Sequence, residues 1–137
     1  MKQIRQFGFT MIELIVVIVV LGILAAVALP KFIDVSGNAK TAALGGVAGA
    51  AASAMTINFS GCAVTQHVPT AGKCVQISNC DQVGSILQGG MPSGYTVASL
   101  AIDGADNAVA NGDEDTCTIT QTNGGATATF TGLAAGN

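Results

Sequence analysis

The sequence predicts an α+β chain: one long N-terminal α-helix, apolar in its first half, packed on a small C-terminal antiparallel β-sheet head. Three observations predict it. From Phe9 to Leu29, 21 consecutive residues hold a single charge, Glu13. Residues 39–54 continue with small side chains and no proline. Beyond Gly61 the pattern changes to short alternating runs separated by glycines, as strands and turns require. A chain of 137 residues allows one domain.

The first element is expected over Phe9 to about Phe59. Its 51 residues would measure about 77 Å as a helix. Residues 9–30 are apolar all round, as a lipid-immersed or bundle-core helix must be, and about 20 such residues cross a bilayer. Residues 31–59 form its second half. Pro30 removes the hydrogen bond to the Ala26 carbonyl and should kink or loosen the helix, and Gly22 weakens it further. Gly45 and Gly49 have a small-xxx-small spacing that lets another backbone approach. The expected use is close packing against the head's sheet and against neighbouring subunits.

Residues 60–137 make the head. Gly61 to about Asn79 reads as an irregular loop with Pro69 and Gly72. Asp81 to Gln88 reads as a short helix ended by Gly89-Gly90. Tyr95 to Ile102 reads as a strand and Gly104 to Asp115 as a polar loop. Thr116 to Thr122 alternates as a half-buried strand does. Asn123-Gly124 signals a tight turn, and Ala126 to Thr131 is the return strand.

An acid near the end of a membrane span is costly, roughly 2.5–3.5 kcal/mol at the span centre on insertion scales. A chain that carries one uses it. Two plainer readings leave it unexplained. A secretory signal peptide cut near Ala26-Val27-Ala28 would not hold Glu13 in its apolar region, and the apolar run is long for one. A plain single-span anchor gives neither Gly8 nor Glu13 a role.

Residues 8 to 14, Gly-Phe-Thr-Met-Ile-Glu-Leu, with the run that follows, closely resemble the processing site and N-terminal helix of type IV pilins and of the type II secretion pseudopilins. Gly22 and Pro30 match further helix positions. The match covers about residues 2 to 59. It implies the pilin fold and a leader peptide, residues 1–8, cut after Gly8 by a prepilin peptidase. It implies N-methylation of the new first residue, Phe9. Glu13 would pair with the amine of Phe9 on the adjacent subunit during assembly. Similar filaments lose helix between such a Gly and Pro, so Gly22 to Pro30 is the candidate melted segment. The partners implied are identical subunits, the peptidase and the pilus assembly machinery. Residues 39 to 54 also resemble the same stretch of mannose-sensitive haemagglutinin-type pilins.

The chain is therefore expected to be the structural subunit of a type IV pilus, held in the bacterial inner membrane before assembly and in an extracellular helical filament after it. The alternative is a pseudopilin. The head favours the pilin, because the Tyr-Pro and Gln-Gly-Leu segment usual after the helix of the major pseudopilin is absent. A third reading, a monomeric anchored binding protein, predicts no polymer.

Charge agrees with this topology. Lys2 and Arg5 precede the span and keep the leader cytoplasmic. The head then lies where disulfides form. Four cysteines allow three pairings. The favoured set is Cys62–Cys74, closing the loop after the helix, and Cys80–Cys117, tying the short helix to the sheet. The second resembles the disulfide that staples the C-terminal region of many pilins. A zinc site lacks any Cys-x-x-Cys pair and has one histidine.

Without the leader, three lysines face eight acids, a side-chain net of −5, which does not suggest a nucleic-acid binder. Asp103, Asp106, Asp113 and Asp115 crowd one loop and are a weak calcium candidate, but the spacing fits no EF-hand and a solvated loop is the better reading. Asn58-Phe59-Ser60 fits a glycosylation sequon. No catalytic motif occurs and His67, the one histidine, reads as a surface residue. Neither an enzyme nor a cofactor is expected.

Overall fold

The structure, a computed structural model, describes residues 8–104 and 108–137, with the backbone alone at residues 30 and 32–34. The elements are α1 (Met11–Val64), a 3₁₀ helix η1 (Cys80–Ser85), and strands β1 (Tyr95–Val97), β2 (Glu114–Gln121) and β3 (Thr127–Leu133). The chain divides into two compact units, the first ending at Ala39 and the second running Lys40–Asn137.

The described part of the first unit is helix from Met11 onward. Its stretch Met11–Leu29 is 19 residues long, apolar enough to cross a membrane, and none of it is buried. At 1.5 Å per residue it spans about 29 Å, the thickness of a bilayer's hydrocarbon core. Residues 22–30 are helical in this chain.

In the second unit, α1 lays one stripe on the sheet. Leu44, Ala48, Ala51 and Met55 are buried at helical spacing and join Ile77, Val83, Ile102, Ile119 and Phe130 in one core. Burying the Leu, Met, Ile, Val and Phe side chains of this core fully is worth about 1.5–3 kcal/mol each. The glycines do not make this contact. A Cβ built on Gly45, Gly46 or Gly49 would meet nothing within 4 Å, so these residues line an open face of the helix and do not pack on the head's own sheet.

α1 ends five residues later than Phe59, so Cys62 is helical and the loop starts after Val64. Gly61 acts here as a contact point and not as a breaker. A Cβ there would collide with the backbone carbonyl of Lys73. Its absence lets the returning loop reach the helix, where Cys62 is bonded to Cys74, Cα to Cα 4.4 Å. Gln66 and His67 then turn the chain out of the helix in the left-handed conformation, φ 55° and 59°. That conformation is usually a glycine's. The His67 N–H caps the Cys62 carbonyl at 2.7 Å.

The expected helix 81–88 is the tighter η1. The Gln82 side chain reaches back to accept from the N–H groups of Ser78 (2.7 Å) and Asn79 (3.0 Å), which fixes its start. Cys80 is bonded to Cys117 on β2. β1 stops at Val97, short of Ile102, because the chain changes partners. Leu100 and Ile102 bond to Cys80 and Ser78 instead of continuing along β2.

The sheet has the order β1-β2-β3, all antiparallel. The β2–β3 link is longer than the two-residue turn expected at Asn123-Gly124. Gln121 N–H bonds to the Ala126 carbonyl, so four residues make the loop, with positive φ at Gly124 and Gly125 and not at Asn123. Consequently β2 ends at Gln121 and β3 begins at Thr127, while at the far end the ladder reaches Glu114 and Leu133. Cys117, Ile119 and Phe130 point to the core. On the outer face Thr116, Thr118 and Thr120 pair with Thr131, Thr129 and Thr127.

Candidate assembly site at the N-terminal helix

The sequence-predicted site residues Gly8, Phe9 and Glu13 lie in the first unit, at the start of α1. Gly8 has open space around it. Phe9 is 90% exposed. Both precede the first helical residue, so the Gly8–Phe9 peptide bond lies outside the helix and is accessible.

Thr10 and Glu13 form a reciprocal cap. The Thr10 N–H and the Thr10 hydroxyl each donate to Glu13 Oε2 at 2.7 Å, and the Glu13 N–H donates to Thr10 Oγ1 at 3.3 Å. A Thr followed three residues later by a Glu, before an apolar run, is the sequence signature of this capping box. Thr10 is the residue that reasoning from span and charge passes over, although this spacing makes it legible. The cap also sits well electrostatically, because a carboxylate in the first turn faces the positive end of the helix dipole.

The arrangement can do two things. It fixes the Glu13 carboxylate at the helix start through one oxygen. The other oxygen, Oε1, has no hydrogen bond among the described residues and is open to a cation from outside the chain. Around it Ile12, Leu14, Val16 and Val17 are exposed, at 66%, 62%, 52% and 51%. A bare carboxylate inside an apolar surface gains most from a single well-placed positive partner.

The other candidates lie elsewhere. Asp106 falls outside the described residues. Asp103, Asp113 and Asp115 do not converge: no group of three potential metal ligands occurs among the described residues. Asp115 Oδ2 accepts from the N–H groups of Asp103 and Gly104, and Asp113 Oδ2 from Ala110, so these carboxylates order the loop. His67 is not the surface residue expected. It is half-buried, its ring lies 5.2 Å from that of Phe59, and its Nδ1 is buried without a partner among the described residues.

The family described as "Prokaryotic N-terminal methylation motif" matches residues 4–29. The chain is similar to the type IV narrow pilus major component PilA5 of Thermus thermophilus, 37% identical over 126 residues, covering 92% of this chain and 95% of that protein. It is also similar to fimbrial protein Q of Moraxella bovis, 34% identical over 100 residues, covering 72% of this chain and 60% of that one. No solved structure matches.

Proposed function

The chain belongs to the type IV pilin family, and on that premise we propose that it is cut after Gly8, N-methylated on Phe9 and polymerised into an extracellular helical filament. Pilins are structural subunits and not enzymes. Before assembly the processed chain is held in the bacterial inner membrane by residues 9–30, with the head outside the cytoplasm. During assembly it leaves lipid for a bundle of identical helices.

The observation that carries this reading is the Glu13 carboxylate, bound through one oxygen to Thr10 and open at the other, on an otherwise uncharged and unburied 19-residue helix. In lipid such an acid is a liability. Beside the amine of Phe9 on the adjacent subunit, each charge neutralises the other. An unpaired charge in an apolar core is costly, so the pair penalises wrong stagger more than it adds raw stability. The axial register of the filament then follows from a single contact. The Gly22–Pro30 segment, helical in this chain, is where the helix would loosen to let subunits pack.

The test is the intact mass and N-terminal sequence of the protein sheared from the cell surface. A chain starting at methylated Phe9 in the filament fraction supports the reading. A processed chain found only in membranes overturns the surface filament, and a start at any other residue overturns the cut.

A further inference from the structure

All four cysteines are buried, Cys62, Cys80 and Cys117 at 0% and Cys74 at 3%. The cover over the two bridges differs in kind. Cys80–Cys117 lies under β3. A Cβ on Gly132 would collide with Cys117 Sγ and stand 3.0 Å from Ile102 Cδ1, and Gly132 is paired with Asp115 within the β2–β3 ladder. Cys62–Cys74 lies under the residues that follow β3. Ala135 shares one buried cluster with both cysteines. A Cβ on Gly136 would stand 3.3 Å from Cys74 Sγ and 3.0 Å from Gln76 Cα.

Residues 134–136 are buried, Ala134 within the main core, but their side chains are small (Ala, Ala, Gly), so hydrogen bonds supply much of their hold. Ala135 and Ile77 exchange backbone bonds at 2.8 and 3.0 Å, and Ala134 bonds to Gly112 and Asp113 at 2.9 Å each. Asn137 fastens the segment. Its N–H donates to Asn111 Oδ1 (2.9 Å), its carbonyl accepts from Asn111 Nδ2 (2.6 Å), and its Nδ2 donates to the Ile77 carbonyl (2.9 Å). Asn137 and Asn111 are exposed, so this fastening sits at the water edge. A segment with little apolar area to release and an exposed fastening opens below the free energy of global unfolding.

We propose that residues 134–137 are a strap that gates thiol–disulfide exchange at Cys62–Cys74, independently of Cys80–Cys117. With the strap closed no thiolate reaches Cys74 Sγ. With it lifted, an external thiolate attacks that sulfur, the bond to Cys62 breaks, and Cys62 leaves as a thiolate. A second thiolate of the reductant resolves the mixed disulfide, leaving both cysteines reduced and the reagent oxidised. Maturation runs the other way through the same gate. Cys62 and Cys74 give two protons and two electrons to a disulfide-bearing oxidant, which becomes a dithiol, and only then does the strap close. Cys80–Cys117 opens to either reagent only when β3 leaves β2.

The experiment uses the full chain in detergent with excess dithiothreitol, quenched by alkylation at intervals, each bridge being followed by peptide mass. The wild-type chain is expected to lose Cys62–Cys74 first. Asn137→Ala removes the bond to Ile77 and the side-chain contacts beside it. It should speed reduction of Cys62–Cys74 about tenfold and that of Cys80–Cys117 less than about twofold. Asn111→Ala, which releases Asn137 from the other side, should show the same selectivity. Equal acceleration of both bridges would mean global unfolding and would overturn the gate. So would no acceleration at either bridge, or loss of Cys80–Cys117 first.

Discussion

Asn58 on α1 and Val75 in the returning loop hold each other by two hydrogen bonds. Asn58 Nδ2 donates to the Val75 carbonyl at 2.8 Å, and the Val75 N–H donates to Asn58 Oδ1 at 2.9 Å. Asn58 is 7% exposed, a buried polar side chain in the head. It imitates a strand partner, giving the loop a backbone-like ladder against the helix.

Asn58→Ala leaves a donor and an acceptor of Val75 without partners. The expected cost is about 1–3 kcal/mol. For a head of this size that is a drop of roughly 4–8 °C in melting temperature per kcal/mol, measured on the full chain in detergent. The same bonds occupy the Asn58 amide, so the Asn58-Phe59-Ser60 sequon should carry no glycan in the folded protein, as intact mass will show.

Two glycines of α1 should respond in opposite directions. Gly45→Ala adds a methyl in open space and should raise the stability of the isolated subunit by up to about 1 kcal/mol through helix propensity. Gly61→Ala drives a methyl into the Lys73 carbonyl and should cost about 1–3 kcal/mol or more. Denaturant midpoints of the two variants decide it, and equal shifts would contradict the contact.

Asp115→Ala frees the N–H groups of Asp103 and Gly104. Amide hydrogen exchange at both should quicken roughly tenfold, the equivalent of about one hydrogen bond. Because these carboxylates already serve backbone donors, neither calcium nor a chelator should move the wild-type melting temperature.

At the assembly site, Glu13→Val should be processed normally and yield few filaments, scored by shearing and electron microscopy. Gly8→Leu should accumulate as the longer membrane-bound chain. Thr10→Val keeps the charge and loses the hydroxyl bond, so its filament yield should fall between wild type and Glu13→Val.

Much of this fold was legible because its signals are local. The apolar run of Met11–Leu29 and the alternation that buries Cys117 and Ile119 beneath outward threonines need no knowledge of distant residues. Two of the stretches that differ depend on non-local contacts, and a third on one more glycine in the loop. Gly61 looks like a helix breaker until Lys73 stands against it. Leu100 to Ile102 looks like the rest of a strand until Ser78 and Cys80 claim its hydrogen bonds. Asn123-Gly124 invites a two-residue turn, yet Gly125 is the second residue that takes positive φ. At the assembly site the capping role of Thr10 was readable from its spacing to Glu13, but the membrane cost of the acid drew attention from it.

The threonine pairs of β2 and β3 leave one more consequence. From Thr116 to Thr120 and from Thr127 to Thr131, the outward face of the sheet offers hydroxyls and methyls and no ion. The nearest charge of β2 on this face, Glu114, stands at its edge, so dissolved salt has little to screen across the threonine rows. Whatever adheres to that face must do so through hydrogen bonds and dispersion, and a brine wash will not lift it off.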